Sequence, residues 1–149
     1  LERVDAGGGV RVVDDYGHNP AKLAAAWAAV AAPGNRVLGV WRPHGYGPLR
    51  AMLDPLADAF ASVCRPQDKL WLLPVYDAGG TTDRSLNSDA LVAKLATRGV
   101  AAELAGSYDE LGAALAGAAR AGDVILTMGA RDPQLPAFAR EMAARTADR

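Results

Sequence analysis

Apolar runs of strand length recur along the whole chain with helix-period stretches between them, and this alternation constrains the fold more than any other feature. The runs fall at residues 10–13, 36–41, 69–75 and 124–128, with a weaker one at 101–104, and most are continuous rather than alternating in polarity. Continuous apolarity means that both faces of a strand meet other protein. That suits a largely parallel sheet covered by helices, because a solvated face would put a polar residue at every second position. Helical patterns occupy residues 20–30, 48–63, 88–98, 108–120 and 134–145. No internal repeat, low-complexity tract or linker interrupts the series.

The expected fold is therefore α/β, a Rossmann-like, mostly parallel sheet of five to six strands with helices on both faces. At 149 residues the chain is expected to form a single domain, 1–149, large enough to bury about two-thirds of its unfolded surface. Local chemistry supports the helix boundaries. Pro20 suits a first helical turn, where its missing N–H is not needed, and Ser107 followed by Glu110 is a capping-box pattern. Met52, Leu53, Leu56, Ala59, Phe60 and Val63 recur at three- and four-residue intervals and mark one buried stripe.

Charge narrows the function classes. Sixteen basic and 17 acidic side chains leave a formal charge of -1, so no basic surplus points to nucleic acid. The longest apolar runs fall far short of the roughly 20 residues of a membrane span, and no membrane partner is expected. A lone cysteine, Cys64, has no internal disulfide partner and reads as a buried reduced thiol, which fits a cytoplasmic setting. Leu1-Glu2-Arg3-Val4 reads as the interior of a longer sequence, so the chain is expected to be a domain excised from a larger protein.

The densest polar cluster, Asp14-Asp15-Tyr16-Gly17-His18-Asn19-Pro20, sits between the first strand and the first helix. Open α/β sheets bind ligands at such strand ends. Two carboxylates, a phenol and an imidazole can hydrogen-bond ribose hydroxyls, hold an ammonium group or move a proton. A plainer reading has Asp14 or Asp15 capping the helix or satisfying turn amides. Residues 42–47, 76–87 and 129–132 follow other strands and are expected to project from the same rim.

The heptapeptide resembles the Asp-Asp-Tyr-Gly-His-His-Pro signature that opens the third domain of Mur-type ATP-dependent amide ligases, with Asn19 in place of a histidine. Trp41-Arg42-Pro43-His44-Gly45-Tyr46-Gly47-Pro48 is similar to Gln-Pro-His-Arg-Tyr-(Ser/Thr)-Arg of the UDP-N-acetylmuramate:L-alanine ligase branch, with the family's arginines falling on Gly45 and Pro48. Leu73-Pro74-Val75-Tyr76-Asp77-Ala78-Gly79-Gly80 and Leu126-Thr127-Met128-Gly129-Ala130-Arg131-Asp132 resemble two further segments, with Arg131 replacing a glycine. The four matches run in family order across nearly the whole chain.

The resemblance implies the closing C-terminal domain of a ligase in peptidoglycan precursor synthesis, which works with N-terminal and central domains and takes a UDP-sugar substrate and an amino acid. It implies ATP and Mg2+ as cofactors of the full-length protein, with neither held tightly by this domain alone and no catalytic residue acting in isolation. It places Asp15, His18, Asn19 and Tyr16 toward the nucleotide, and His44, Tyr46, Arg50 and Arg42 toward the substrate. Family arginines that reach the nucleotide would lie before Leu1. The lost arginines leave substrate identity open, since neither glycine nor proline replaces a guanidinium fork. Arg131 either fills part of the cleft or returns a positive charge.

Other readings have their own signals. His18, His44 and Asp15 lack local metal-ligand spacing, and no Gly-x-x-x-x-Gly-Lys-(Ser/Thr) phosphate loop is present, so neither a metal site nor a self-sufficient ATPase is expected. A receiver-like signalling domain would need an acceptor carboxylate, for which Asp77 is placed, and a lysine that residues 129–132 do not offer. A ligase-derived binding module without catalysis is the remaining alternative.

Overall fold

The computed structural model describes residues 1–77, 86–129 and 131–149. Along the chain come β1 (Glu2–Arg3), β2 (Arg11–Asp15), α1 (Pro20–Val30), β3 (Val37–Arg42), α2 (Tyr46–Ala51), α3 (Leu53–Val63) and β4 (Lys69–Leu72). There follow α4 (Ser88–Thr97), β5 (Ala102–Leu104), α5 (Tyr108–Ala118), β6 (Val124–Gly129) and α6 (Gln134–Arg145). Six strands form one sheet in the order β1-β2-β6-β3-β4-β5. Every pairing is parallel except β1 on β2, where Glu2 faces Asp14 and Arg3 faces Val13.

Both faces are covered, as continuous apolar strands require. Val13, Val37, Trp41, Leu70, Leu72, Leu126 and Met128 meet helices α1, α3 and α4 on one side. Their neighbours in sequence, Val12, Leu38, Val40, Trp71 and Ile125, meet α5 and α6 on the other. Gly39, in the middle of β3, has no side chain because the Trp27 ring of α1 occupies that space. Trp27 and Trp41 each meet Phe60 of α3 edge-on, at centroid separations of 6.3 and 5.9 Å.

Buried Asp68 secures the opposite, N-terminal edge of the sheet. It accepts from Trp27 Nε1 at 3.2 Å and Val37 N at 2.8 Å, and it pairs with Arg65 at 3.0 Å. Burial pushes its carboxyl up, but the Arg65 guanidinium and the donated N–H groups outweigh this and hold it below the usual range.

The structure differs from the sequence reading at three elements. The single helix at 48–63 is two, parted at Met52 (φ -117, ψ 15). Pro55 explains the break, because in a continuous helix its ring would meet the Ala51 carbonyl and its missing N–H could not bond there. The edge strand β1 was not anticipated, since two exposed residues carry no periodic signal; its pairing is fixed by Val4 N donating to Val12 O at 2.9 Å. The 69–75 run is shorter as a strand, ending at Leu72 ahead of Pro74.

Candidate functional site

The parallel strands β2, β3 and β6 all end on one rim, and their connections diverge there. From β2 and β3 the chain turns toward α1 and α2 on one face, whereas from β6 it turns toward α6 on the other. Adjacent strands whose loops leave in opposite directions open a crevice between them, the position where such sheets take ligands. Here it is a cavity of about 470 Å³ lined by Tyr16, His18, Lys22, His44, Gly129 and Arg131. That volume lies within the range of small-molecule sites. The lining carries two fixed cations and two imidazoles, with no carboxylate among these residues, so its chemistry suits an anion.

The corner after β2 is held from three sides. Asn19 is the N-cap of α1, its Oδ1 accepting the Lys22 N–H at 2.9 Å, so the capping role expected of Asp14 or Asp15 falls to Asn19. Trp41 Nε1, at the end of β3, donates to the Gly17 carbonyl at 2.9 Å. His18 Nδ1 lies 3.0 Å from the Tyr16 carbonyl. A carbonyl only accepts, so Nδ1 is the donor in this contact. Tyr16 is 68% exposed, and Asp15 borders a small recess beside Tyr16 and Lys22.

Asp14 points elsewhere. It accepts from the Thr127 hydroxyl at 2.6 Å, and burial, opposed by that bond, raises its carboxyl above the usual range.

The corner after β3 extends the sheet by one bridge, His44 beside Tyr76, with the rings 5.7 Å apart. Tyr76 N donates to Pro43 O at 2.8 Å and Gly45 N to Tyr76 O at 3.2 Å. The candidate substrate residues separate here. His44 lines the cavity, but Tyr46 is buried in the core beneath α2, and Arg50 is exposed on α2 outside the cavity wall. Arg42 is turned into a cluster behind the rim. Its Nη1 pairs with Asp132 at 2.7 Å, and its guanidinium carbon lies 5.4 Å from the Tyr76 ring centroid and 5.5 Å from that of Tyr108. Tyr108 also donates to Asp132, and Gln134 N donates to it at 2.9 Å.

That cluster fixes the β6–α6 connection beside Arg131. Gly129 holds φ at 120°, and a Cβ there would collide with the Arg42 backbone, so β3 and β6 approach closely enough for His44 and Arg131 to share one cavity. A smaller apolar annex of about 190 Å³ opens on the other side of the histidines, walled by His18, Asn19, Trp41, Pro43, His44, Pro48, Leu49, Met52 and Leu56.

Of the residues singled out in the sequence, Tyr16, His18 and His44 line one cavity, whereas Asn19, expected toward the nucleotide, is the N-cap of α1. Sequence reasoning missed Lys22 as a lining residue. The available signal was a lone lysine in a first helical turn, where the helix dipole opposes a cation. The third motif falls partly outside the described residues, as do residues 78–85 and Ala130. Among the described residues, no group of three or more His, Cys, Asp or Glu is arranged to hold a metal ion, and no helix is long and apolar enough to cross a membrane.

The chain is 40% identical over 127 residues to the UDP-N-acetylmuramate--L-alanine ligase of Burkholderia thailandensis, covering 83% of this chain and 26% of that protein. It therefore spans about a quarter of the length of the curated relatives it matches. The solved UDP-N-acetylmuramate-alanine ligase of Thermotoga maritima shares the fold, with a TM-score of 0.68 and 20% identity over 91% of this chain and 26% of that one. So does a bifunctional folylpolyglutamate synthase/dihydrofolate synthase of Yersinia pestis, complexed with AMPPNP and Mn ion, with a TM-score of 0.55 and 17% identity over 94% and 30%. The match to the family described as Mur ligase, glutamate ligase domain, runs over residues 1–131 and displaces the receiver-like alternative: the chain belongs to the Mur ligase family.

Proposed function

We propose that residues 1–149 are a single domain that caps the active site of a longer ATP-dependent amide ligase, most similar to UDP-N-acetylmuramate:L-alanine ligase, in peptidoglycan precursor synthesis. The observation that carries this reading is the meeting of His18 and His44, from two successive crossovers, in one cationic cavity with Lys22 and Arg131. In this reading the N-terminal and central domains of the same chain supply the phosphate loop, and ATP supplies the phosphoryl group that activates a carboxylate. The compartment is cytoplasmic.

The residues fit an anionic nucleotide. Tyr16 offers an exposed ring for a base, Asp15 an acceptor for ribose hydroxyls, and Lys22 a positive charge for phosphates beside the His18 ring. Asn19 supports them by fixing the helix start that carries Lys22. His44 faces the second substrate, with Tyr46 and Arg42 holding its loop from behind and Arg50 on the helix that follows. Mg2+ is assigned to the nucleotide phosphates and the central domain, where few protein ligands suffice. Closing the cavity against that domain excludes water and protects an activated carboxylate from hydrolysis.

The test uses the full-length protein. His18→Ala and Asp15→Ala are each expected to weaken nucleotide binding about tenfold, a loss of one good polar contact, with the melting temperature nearly unchanged. Unaltered ATP affinity in both variants would refute the assignment.

A further inference from the structure

Arg42 is the last residue of β3 and lies in register with Gly129, the last of β6. Its guanidinium rests between two rings, 5.4 Å from the centroid of Tyr76 and 5.5 Å from that of Tyr108. There Nη1 pairs at 2.7 Å with Asp132, which is only 4% exposed. The Tyr108 hydroxyl and the Gln134 N–H donate to the same carboxylate. The end of β3 and the starts of α5 and α6 therefore meet on one buried acid.

This arrangement is a poor source of stability. A buried ion pair adds little over apolar packing of the same volume, and Arg42 Nε is buried with no hydrogen-bond partner among the described residues, a further cost. A destabilising polar group beside a cleft is explained by what it positions.

The group to be positioned is Arg131. It lines the cavity and is exposed, and its side chain makes no hydrogen bond or ion pair with another described residue. Its own contacts do not hold it, so its place follows from the backbone of Asp132, immediately after it. His44, in the same cavity, is bridged to Tyr76, whose ring lies against the Arg42 guanidinium.

We propose that Arg42 is a positioning residue of the ligase reaction, acting through Asp132 to keep Arg131 in the cavity with His44, and that the Tyr108 hydroxyl is a second hold on that acid. This rests on the ligase reading above and adds residues that lie outside the cavity. Without the guanidinium, Asp132 is a buried charge short of its counter-ion. The β6–α6 connection then opens to hydrate it and carries Arg131 away. A displacement of about 1 Å at a group that meets a substrate can cost about a hundredfold in rate.

The experiment measures ATP-dependent phosphate release by the full-length protein with UDP-N-acetylmuramate and whichever of the twenty amino acids supports the fastest release. Arg42→Gln and Arg131→Ala should each lower kcat/KM about tenfold, and the double variant about tenfold as well, because one residue acts through the other. A merely structural Arg42 would lose activity independently, and the double variant would then fall about a hundredfold. Additive losses overturn the proposal, as does an unchanged rate in either single variant. Tyr108→Phe keeps the ring and removes only the hydroxyl, so it serves even where Arg42→Gln does not fold. It should lower kcat/KM about threefold in the parent and leave Arg131→Ala unaffected; equal losses in both backgrounds overturn the proposal. No phosphate release from the parent with any amino acid refutes the ligase reading and this inference with it, a result distinct from that of a working ligase whose losses add.

Discussion

The indole nitrogen of Trp41, at the end of β3, donates to the carbonyl of Gly17, in the corner after β2, across 2.9 Å. Those two strands are not neighbours, since β6 lies between them. The bond therefore ties the corner that carries His18 to the end of the strand that leads to His44.

Replacing Trp41 by phenylalanine keeps an aromatic ring against Phe60 but removes the donor. A buried carbonyl left unpaired costs about 1–3 kcal/mol, so urea denaturation of Trp41→Phe should show a loss of that size. In the full-length protein KM for ATP should rise as well, because the loop carrying His18 loses its tether. A stability loss with unaltered KM would mean that the tether does not position the site.

Lys22 occupies the first turn of α1, where the dipole favours an acid and the helix has none. Lys22→Glu should leave stability unchanged or raise it by about 0.3–1 kcal/mol. The same change reverses a charge on the cavity wall and should weaken nucleotide binding at least tenfold, screened by added salt. A thermal melt and an ATP titration on one sample separate the two effects. Full nucleotide affinity in the variant would remove Lys22 from the site.

Gly39 leaves room for Trp27 in the core. A Cβ there would overlap a rigid, fully buried ring with α1 packed behind it, so Gly39→Ala should cost about 3 kcal/mol, the upper part of the range for overpacking. Equilibrium unfolding measures it. A loss below about 0.5 kcal/mol, the scale of surface substitutions, would show that Trp27 can move aside.

Burial, reinforced by the nearby Asp68 charge, pushes the Cys64 thiol up to about 12. In the unfolded chain a thiol ionises near about 8.5. The folded state thus holds its proton where the unfolded state has lost it, and this contribution, complete below the unfolded value, drains away as pH rises from about 9 to about 12. Cys64→Ala should show a flatter loss of melting temperature over that alkaline window than the parent. The native thiol should also react slowly with disulfide reagents at pH 8 and quickly once unfolded. Cys64 is half-buried rather than fully enclosed, and parallel melting curves for both proteins would contradict this account of its thiol.

Much of the architecture was legible because its signals are local. Continuous apolar runs announce strands covered on both faces, Pro20 and Ser107 mark helix starts, and the polar corners at 14–20 and 42–47 stand out between them. Pro55 was equally legible as a breaker, yet the apolar stripe running through Met52 and Leu56 masked it. Lys22 and Arg131 are harder cases. Each is an ordinary charged residue in sequence, and only the crossing of β6 between β2 and β3 brings the two to one cavity.

The sequence by itself determined that strands would alternate with helices, that their ends would carry the polar chemistry, and that the chain would resemble the Mur ligases, because hydrophobic period and short motifs depend on neighbours along the chain. Tertiary structure decided which of those polar residues face a ligand. Arg42 and Tyr46 sit within a few residues of His44, yet the ion pair to Asp132 turns one behind the rim and burial in the core takes the other. Strand order and side-chain burial are settled by contacts between residues far apart in the chain, and no local pattern encodes them.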